Sequence, residues 1–283
     1  MRDSIEAPLV TDDVRAALPT FFIVGAAKAR TTSLHRYLAE HPEIAMSSEK
    51  EPMCFARPQW EERLGDYRNL FDRHAAVRGE ASTAYAAYPW VPDVPDRVRA
   101  LVPDAKIVYC VRDPIERMLA HYAQNVWDKF PVRPFEELMD DLEDPTNMPV
   151  WLSRYATQYK RWAERFGEER VLVVEQRDLL ERRDDTLRRV FAFLDVDADF
   201  SSRSWVERRK TARQHLVPTP FAERLGPRTE RVARVRAFAP LLRRPVPKPR
   251  LTREQRRRVV ALLKPEAERL HELTGVPTGH WHF

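Results

Sequence analysis

A strongly apolar run enters a short loop and then a helical pattern near the start of this 283-residue chain. The apolar run covers 21–25, and the loop after it carries Lys28, Thr31 and Thr32. Apolar spacing then becomes helical over about 31–40. Such a strand–loop–helix unit brings free backbone N–H groups, a helix N-terminus and an ammonium group to one point. The pattern predicts a site for an anionic group.

Strand and helix patterns alternate along the rest of the chain. Because parallel strands are joined by helices, this alternation predicts an α/β fold of three layers, in which helices flank a central parallel sheet. We read residues 1–18 as an N-terminal arm and 19–283 as a single domain, with the basic, proline-rich stretch 200–250 as a cap or long loop region. Strands are predicted at 77–81, 105–111 and 170–175, and helices after Pro114 and at about 151–166, 186–194 and 252–272.

Composition limits the classes of binding partner that this chain is expected to have. The net charge is +5, yet acidic residues are interspersed almost throughout, which is typical of a solvated surface and also compatible with a cleft for a small polyanion. No fingerprint of a nucleic-acid-binding fold is present. Cys54 and Cys110 lack metal-ligand spacing and imply no disulfide framework. No signal-peptide pattern and no apolar run near the roughly 18 residues of a membrane span is found, so we expect a cytoplasmic protein that does not bind membranes.

The spacing within the loop argues against ATP chemistry. A P-loop kinase or ATPase places its Lys directly before the Ser or Thr that binds magnesium. Here Lys28 follows Gly25 by three positions and is separated from Thr31 by two residues. The predicted strand 105–111 is followed by Arg112, and Asp113 beside it is expected to serve as a helix cap or an ion-pair partner. We therefore predict that protein cations, without a metal ion, meet the anion.

Four segments together resemble the sulfotransferases that use 3′-phosphoadenylyl sulfate (PAPS), especially the bacterial and heparan-sulfate-type branch. The resemblance extends over most of 20–283. It implies a P-loop NTPase-like fold and transfer of a sulfuryl group from PAPS to a hydroxyl, less readily an amine, of an acceptor. Because no secretion signal is found, we expect that acceptor to be a small molecule in a tailoring (secondary-metabolism) pathway. Adenosine 3′,5′-bisphosphate would be the second product. The segments are 25–34 (the 5′-phosphosulfate loop), 49–55 (the Lys-Glu motif), 79–85 (a strand end) and 112–122 (the 3′-phosphate motif).

The resemblance also implies roles for single residues. Lys28 would contact the 5′-phosphosulfate and Arg112 the 3′-phosphate, unless Arg112 only pairs with Glu116 or Asp113. Glu51 is the candidate base and Lys50 its orienting partner, with His35 and His41 as alternative bases. Thr31 would either bind the phosphosulfate or cap the helix. The full set of cofactor-binding candidates is Gly25, Lys28, Ala29, Arg30, Thr31, Thr32, Ser33, Arg112, Ala120, Arg209, Lys210 and Arg213.

Three positions depart from the family pattern. Arg30 stands where the family has Gly, Ala120 where it has Ser, and Met53 where the heparan-sulfate enzymes often have His. Arg30 and Ala120 keep open the alternative of a catalytically degenerate member that binds a nucleotide or a partner. A divergent nucleoside or small-molecule kinase on a related sheet is a further alternative. The identity of the acceptor and the oligomeric state, with a homo-oligomer among the alternatives, are also open.

Overall fold

The computed structural model describes residues 11–207, 216–218, 224, 243–245 and 249–283. Within these residues, five parallel strands form a sheet in the order β2-β3-β1-β4-β5. The strands are β1 Phe21–Gly25, β2 Ile44–Met46, β3 Val77–Ala81, β4 Lys106–Val111 and β5 Val171–Glu175. A separate antiparallel pair joins β6 Leu216–Pro218 to β7 Arg243–Pro245.

Helices pack on the sheet and on one another, as the predicted three-layer α/β fold requires. They are α1 Asp12–Ala17, α2 Thr31–Leu38, α3 Leu64–Arg68, α4 Val94–Leu101, α5 Pro114–Trp127, α6 Phe135–Asp140, α7 Met148–Trp151, α8 Tyr155–Phe166, α9 Gln176–Glu181, α10 Arg183–Phe193, α11 Ser204–Glu207 and α12 Arg253–Thr274. Short 3₁₀ turns lie at Cys54–Ala56, Glu61–Arg63, Thr83–Ala86 and Glu168–Arg170.

The central position of β1 determines where a ligand can bind. The chain runs from β1 to β2 and β3 on one side, and then to β4 and β5 on the other. All five strands end at the same edge, so the loops after β1, β3 and β4 are neighbours. Open α/β sheets bind ligands outside the carboxyl ends of their strands, at the point where the strand order reverses. That point here is the end of β1.

Three local elements differ from the sequence-based expectation. Asp12–Ala17 is helical within the segment we read as an arm, and Leu18 after it is buried. Ile44–Met46 forms an edge strand that was not predicted, because three residues are too few to show a strand pattern. The helix expected from residue 151 begins at Tyr155, because residue 151 ends the short helix α7 and Arg154 has non-helical backbone angles of φ −79° and ψ 75°.

The two cysteines are free and buried in the core. Burial raises the pKa of the Cys54 thiol and of the Cys110 thiol to about 12. Since the thiolate is the reactive form, both side chains act as small apolar groups of the interior. No helix among the described residues combines the length and apolar character needed to cross a bilayer.

A buried carboxyl group lies beneath the loop that follows β2. Glu80 on β3 is fully buried and accepts a 2.7 Å hydrogen bond from the Tyr67 hydroxyl. Burial raises its pKa from 4.5 to about 7, against smaller opposing effects of hydrogen bonds from Tyr67, Tyr85 and Ser82. Glu80 therefore keeps its proton in the folded protein at pH values where the unfolded chain has lost it.

We predict that Glu80→Gln flattens the pH dependence of stability between about pH 4.5 and 7. Across that window the unfolded wild-type chain binds fewer protons than the folded one, so its free energy of unfolding falls as pH rises. The pKa difference corresponds to a loss of roughly 3 kcal/mol. Urea unfolding at pH 5 and pH 7.5 measures it, with exposed Glu62→Gln as the matched control. Parallel profiles for wild type and Glu80→Gln would contradict the assignment.

Candidate anion-binding and catalytic site

The loop after β1 reaches the N-terminus of α2 through two residues in the left-handed backbone region. Lys28 has φ 72° and Arg30, at the N-cap position of α2, has φ 65°. Such values favour glycine, so the family's Gly at position 30 has a physical reason, and Arg30 adopts the same conformation at a steric cost. Thr31 is the first residue inside α2 and is buried, so its interpretation as an N-cap is wrong.

The remaining loop candidates lie around the same turn. Ala29 is buried, Thr32 is exposed and Ser33 is half-buried in the first turn of α2. Gly25 ends β1 where space is tight, since a Cβ built there would lie 3.0 Å from the Ala86 Cβ. It would also lie 3.3 Å from the Tyr109 ring. A larger residue at position 25 would therefore displace the end of β1 on which the loop depends.

Arg112, after β4, lies against the same loop. Its Nη1 donates a 3.3 Å hydrogen bond to the Lys28 carbonyl oxygen, and its Nη2 lies 3.5 Å from Glu116 Oε2. The Arg112 Nε is buried and has no hydrogen-bond partner among the described residues. Two long contacts and one unpartnered donor leave the guanidinium with capacity for an anion, because a buried N–H without an acceptor is costly.

Asp113 serves as the helix cap that was one of the two roles expected of it, and it also binds the C-terminal segment. Its Oδ1 accepts from the Glu116 N–H at 2.8 Å and so caps α5. Its Oδ2 accepts from the His282 N–H at 2.6 Å and lies 2.9 Å from His282 Nδ1. Asp113, the residue after Arg112, is thereby bonded both to the start of α5 and to the C-terminal segment.

Glu51 is held at the end of β3 rather than loose on the surface. It has φ 60°, and its N–H donates to the Ala81 carbonyl oxygen at 3.1 Å. Its carboxylate accepts from the Thr83 N–H at 2.7 Å and from the Thr83 hydroxyl, and pairs with Lys50. The Glu51 side chain is 27% exposed, so one side of a fixed carboxylate faces the solvent.

The two histidines nominated as alternative bases lie in different surroundings. His35 on α2 is close enough to Lys50 and Glu51 to feel their charges, and its Nε2 is buried without a partner among the described residues. Burial, followed by Lys50 and Arg36, lowers its pKa, so the ring is neutral at neutral pH. His41 packs between Phe191 and Phe200 and bonds to the Asp197 carbonyl oxygen, which is a structural role.

Two contact residues escaped the sequence-based set. Gln124 on α5 accepts a 2.8 Å hydrogen bond from Lys28 Nζ, and Thr83 holds the Glu51 carboxylate. Thr83 lies in a segment that carried the family resemblance, but no pattern within the segment singled it out. Gln124 lies two residues beyond the matched 3′-phosphate motif, where helical spacing from Arg117 and His121 was the available signal.

The last candidates divide between α5 and the basic stretch. Ala120 on α5 is nearly buried and carries only a methyl group. Arg209, Lys210 and Arg213 lie outside the described residues. Within the described part of the chain, the loop after β1, Arg112 and the Glu51 segment all meet at the carboxyl edge of the sheet.

Comparisons with known proteins find sulfotransferases. The model of the Sulfotransferase family matches residues 79–200. Mouse (Mus musculus) heparan sulfate glucosamine 3-O-sulfotransferase 3A1 is 28% identical over 66% of this chain and 48% of its own length. Human (Homo sapiens) heparan sulfate glucosamine 3-O-sulfotransferase 6 is 33% identical over 42% of this chain and 34% of its own. The chain thus spans at most about half the length of these curated relatives.

A solved bacterial structure matches almost the whole chain. The sulfotransferase from Alicyclobacillus acidocaldarius superposes with a TM-score of 0.65 at 26% identity, over 93% of this chain and 98% of that one. The sulfotransferase fold is P-loop NTPase-like, as the sequence resemblance implied, and the five-stranded parallel sheet described above agrees with it. The family-model match, the curated relatives and this solved structure together show that the chain is similar to sulfotransferases.

Proposed function

We propose that this protein transfers a sulfuryl group from PAPS to a hydroxyl group of an acceptor. The observation that carries the proposal is that Arg112 contacts the loop before α2, and that this loop also carries Lys28. Lys28 follows β1 and Arg112 follows the adjacent strand β4. The Glu51 carboxylate lies at the end of β3, which is the neighbour of β1 on the other side. Two positive ends and one carboxylate suit a nucleotide with two anionic groups and an acceptor that must lose a proton.

The chemical roles follow from charge and position. PAPS supplies the sulfuryl group and a phosphate leaving group. Lys28, with the loop N–H groups and the N-terminus of α2, offsets the negative charge that develops on the leaving oxygen. Arg112 offers paired donors to the 3′-phosphate through its fork of N–H groups. These tasks are positioning and charge stabilisation, which carry most of the catalysis in the analogous phosphoryl transfers.

Glu51 accepts the proton of the acceptor hydroxyl as the new S–O bond forms and the bond to the leaving phosphate breaks. Its carboxylate is pre-oriented by the Thr83 N–H, so little reorganisation is needed when the acceptor arrives. Lys50 pairs with this carboxylate and helps to orient it. His35, whose Nε2 has no partner among the described residues, is the second candidate base. The kinetics of Glu51→Gln and His35→Gln distinguish the two candidates.

A hydroxyl acceptor is the class that the relatives support. The names of the two curated relatives described above specify glucosamine 3-O-sulfotransferases, which transfer to oxygen, whereas the related N-deacetylase/N-sulfotransferase 2 of Bos taurus is named for transfer to nitrogen. A small acceptor molecule, a cytoplasmic location, the homo-oligomer and a place in secondary metabolism stay predictions. Incubation of the pure protein with labelled PAPS and a panel of saccharides, alcohols, phenols and amines tests the proposal. Nucleotide binding without turnover on any acceptor would favour the degenerate alternative. Phosphate transfer that depends on ATP and magnesium would favour the kinase alternative.

We predict that Arg112→Ala weakens the binding of adenosine 3′,5′-bisphosphate by about 10- to 100-fold. The estimate corresponds to the loss of charge-assisted hydrogen bonds to one phosphate group. Binding of adenosine 5′-phosphate, which lacks the 3′-phosphate, should change little. Titration calorimetry with both ligands measures the difference, and Arg36→Ala on the exposed face of α2 is the control for loss of a cation. An equal loss for both ligands would refute the 3′-phosphate assignment.

We predict that Glu51→Gln lowers kcat by about 10²- to 10⁴-fold and leaves nucleotide affinity within a few-fold of wild type. The amide still accepts from the Thr83 N–H but cannot take a proton from the acceptor. Steady-state kinetics and calorimetry on the same preparations separate the two effects, and Glu49→Gln, two residues away and exposed, is the matched control. Retained turnover in Glu51→Gln, with loss in His35→Gln, would move the base to His35.

A further inference from the structure

One face of α5 lies against the loop after β1. Arg117 Nη1 lies 3.5 Å from the Ala27 carbonyl oxygen, and Gln124 binds the Lys28 ammonium group. His121 lies between them, four residues after Arg117 and three before Gln124, which places the three side chains on one side of the helix. The imidazole of His121 therefore lies beside the part of the loop that is proposed to hold the phosphosulfate.

The hydrogen bond to Arg117 determines the tautomer of His121. The His121 Nδ1 lies 3.4 Å from Arg117 Nη1, and a guanidinium group only donates hydrogen bonds. Nδ1 must therefore be the acceptor, and the neutral ring carries its proton on Nε2. Nε2 has no hydrogen-bond partner among the described residues.

The surroundings keep this ring neutral. His121 is 8% exposed, and burial, followed by the charges of Arg117 and Lys28, lowers its pKa to about 3. Arg117 faces the ring from its own helix and Lys28 from the loop after β1, and both charges oppose protonation. His121 is thus a neutral N–H donor with a fixed tautomer at every pH at which the protein would work.

We propose that His121 Nε2–H donates a hydrogen bond to an oxygen of the 5′-phosphosulfate group, next to the Lys28 ammonium. This inference rests on the proposed function and assigns a binding residue outside the candidate set obtained from the sequence. A neutral donor adds a directional contact without adding charge to a loop that already carries Lys28 and Arg30. His121 is on this account a binding and orienting group that transfers no proton.

Two substitutions separate the functions of the two ring nitrogens. In His121→Asn the side-chain oxygen replaces Nδ1 as the acceptor for Arg117, but the donor at the position of Nε2 is lost. In His121→Gln the amide N–H group reaches the position of Nε2 and the acceptor at Nδ1 is lost. His74→Asn, at an exposed position, is the control for the substitution itself.

Calorimetry without acceptor is the test, with PAPS and with adenosine 3′-phosphate, which lacks the 5′ group. We expect His121→Asn to bind PAPS about 10- to 100-fold more weakly than wild type and adenosine 3′-phosphate with unchanged affinity. We expect His121→Gln to bind PAPS within about three-fold of wild type. The ratio of PAPS affinities between wild type and His121→Asn should stay constant from pH 5.5 to 8.

Each contrary result has a distinct meaning. Unchanged PAPS affinity in His121→Asn, equal losses for both ligands, or an equal loss in His121→Gln would overturn the proposal. A ratio that grows below pH 6.5 would also overturn it, since it would show a charged imidazolium. Adenosine 3′-phosphate reports the fold in each variant, and failure of the wild-type protein to bind PAPS would refute the proposed function itself.

Discussion

The buried guanidinium group of Arg117 joins the segments on which the site depends. It is completely buried, and its hydrogen bonds reach the Ala27 carbonyl oxygen, the Ser153 hydroxyl, the Pro149 carbonyl oxygen and His121. No carboxylate pairs with it among the described residues, and burial lowers its pKa. A buried cation is stabilised only when its donors find acceptors, so these four contacts specify the position of the loop after β1 relative to α5 and the turn before α8.

Backbone conformation adds a second constraint. Lys28 and Arg30 before α2, and Glu51 and Met53 after β2, all have positive φ values. Residues other than glycine adopt this region at a cost, and such positions cluster where the surrounding structure and the function require them. The resemblance had singled out all four, the first three as site residues and Met53 as a departure from the family pattern.

The carbonyl and amide groups of strand ends explain how distant segments of the chain become one site. Arg112 meets the loop after β1 because β4 is the neighbour of β1, and Glu51 meets Thr83 because its own N–H bonds to the end of β3. The His282 contacts to Asp113 fasten the start of α5 from the far end of the sequence. The proximity of these segments is therefore a consequence of the order of the strands in the sheet.

Strong periodic patterns were predictable and isolated contacts were not. The apolar runs of β1, β4 and β5 were placed to within a residue, since a buried parallel strand needs a nearly continuous apolar segment. Ile44–Met46 was missed because three residues carry no usable period. The role of His121 was missed because a histidine on a helix has no signature until its neighbours are known, and His41 was nominated as a base although its ring packs in an aromatic cluster.

The sequence alone determined the class of the fold, and it predicted an anion site after β1 and a resemblance to the sulfotransferases, because apolar periodicity and ordered motifs are local properties of the chain. Only the tertiary structure decided that Arg112 reaches the Lys28 carbonyl oxygen, that Thr83 holds Glu51 and that Gln124 holds Lys28. It also decided the charge state of His121, because burial and the fields of Arg117 and Lys28 exist only after the helix has packed against the loop.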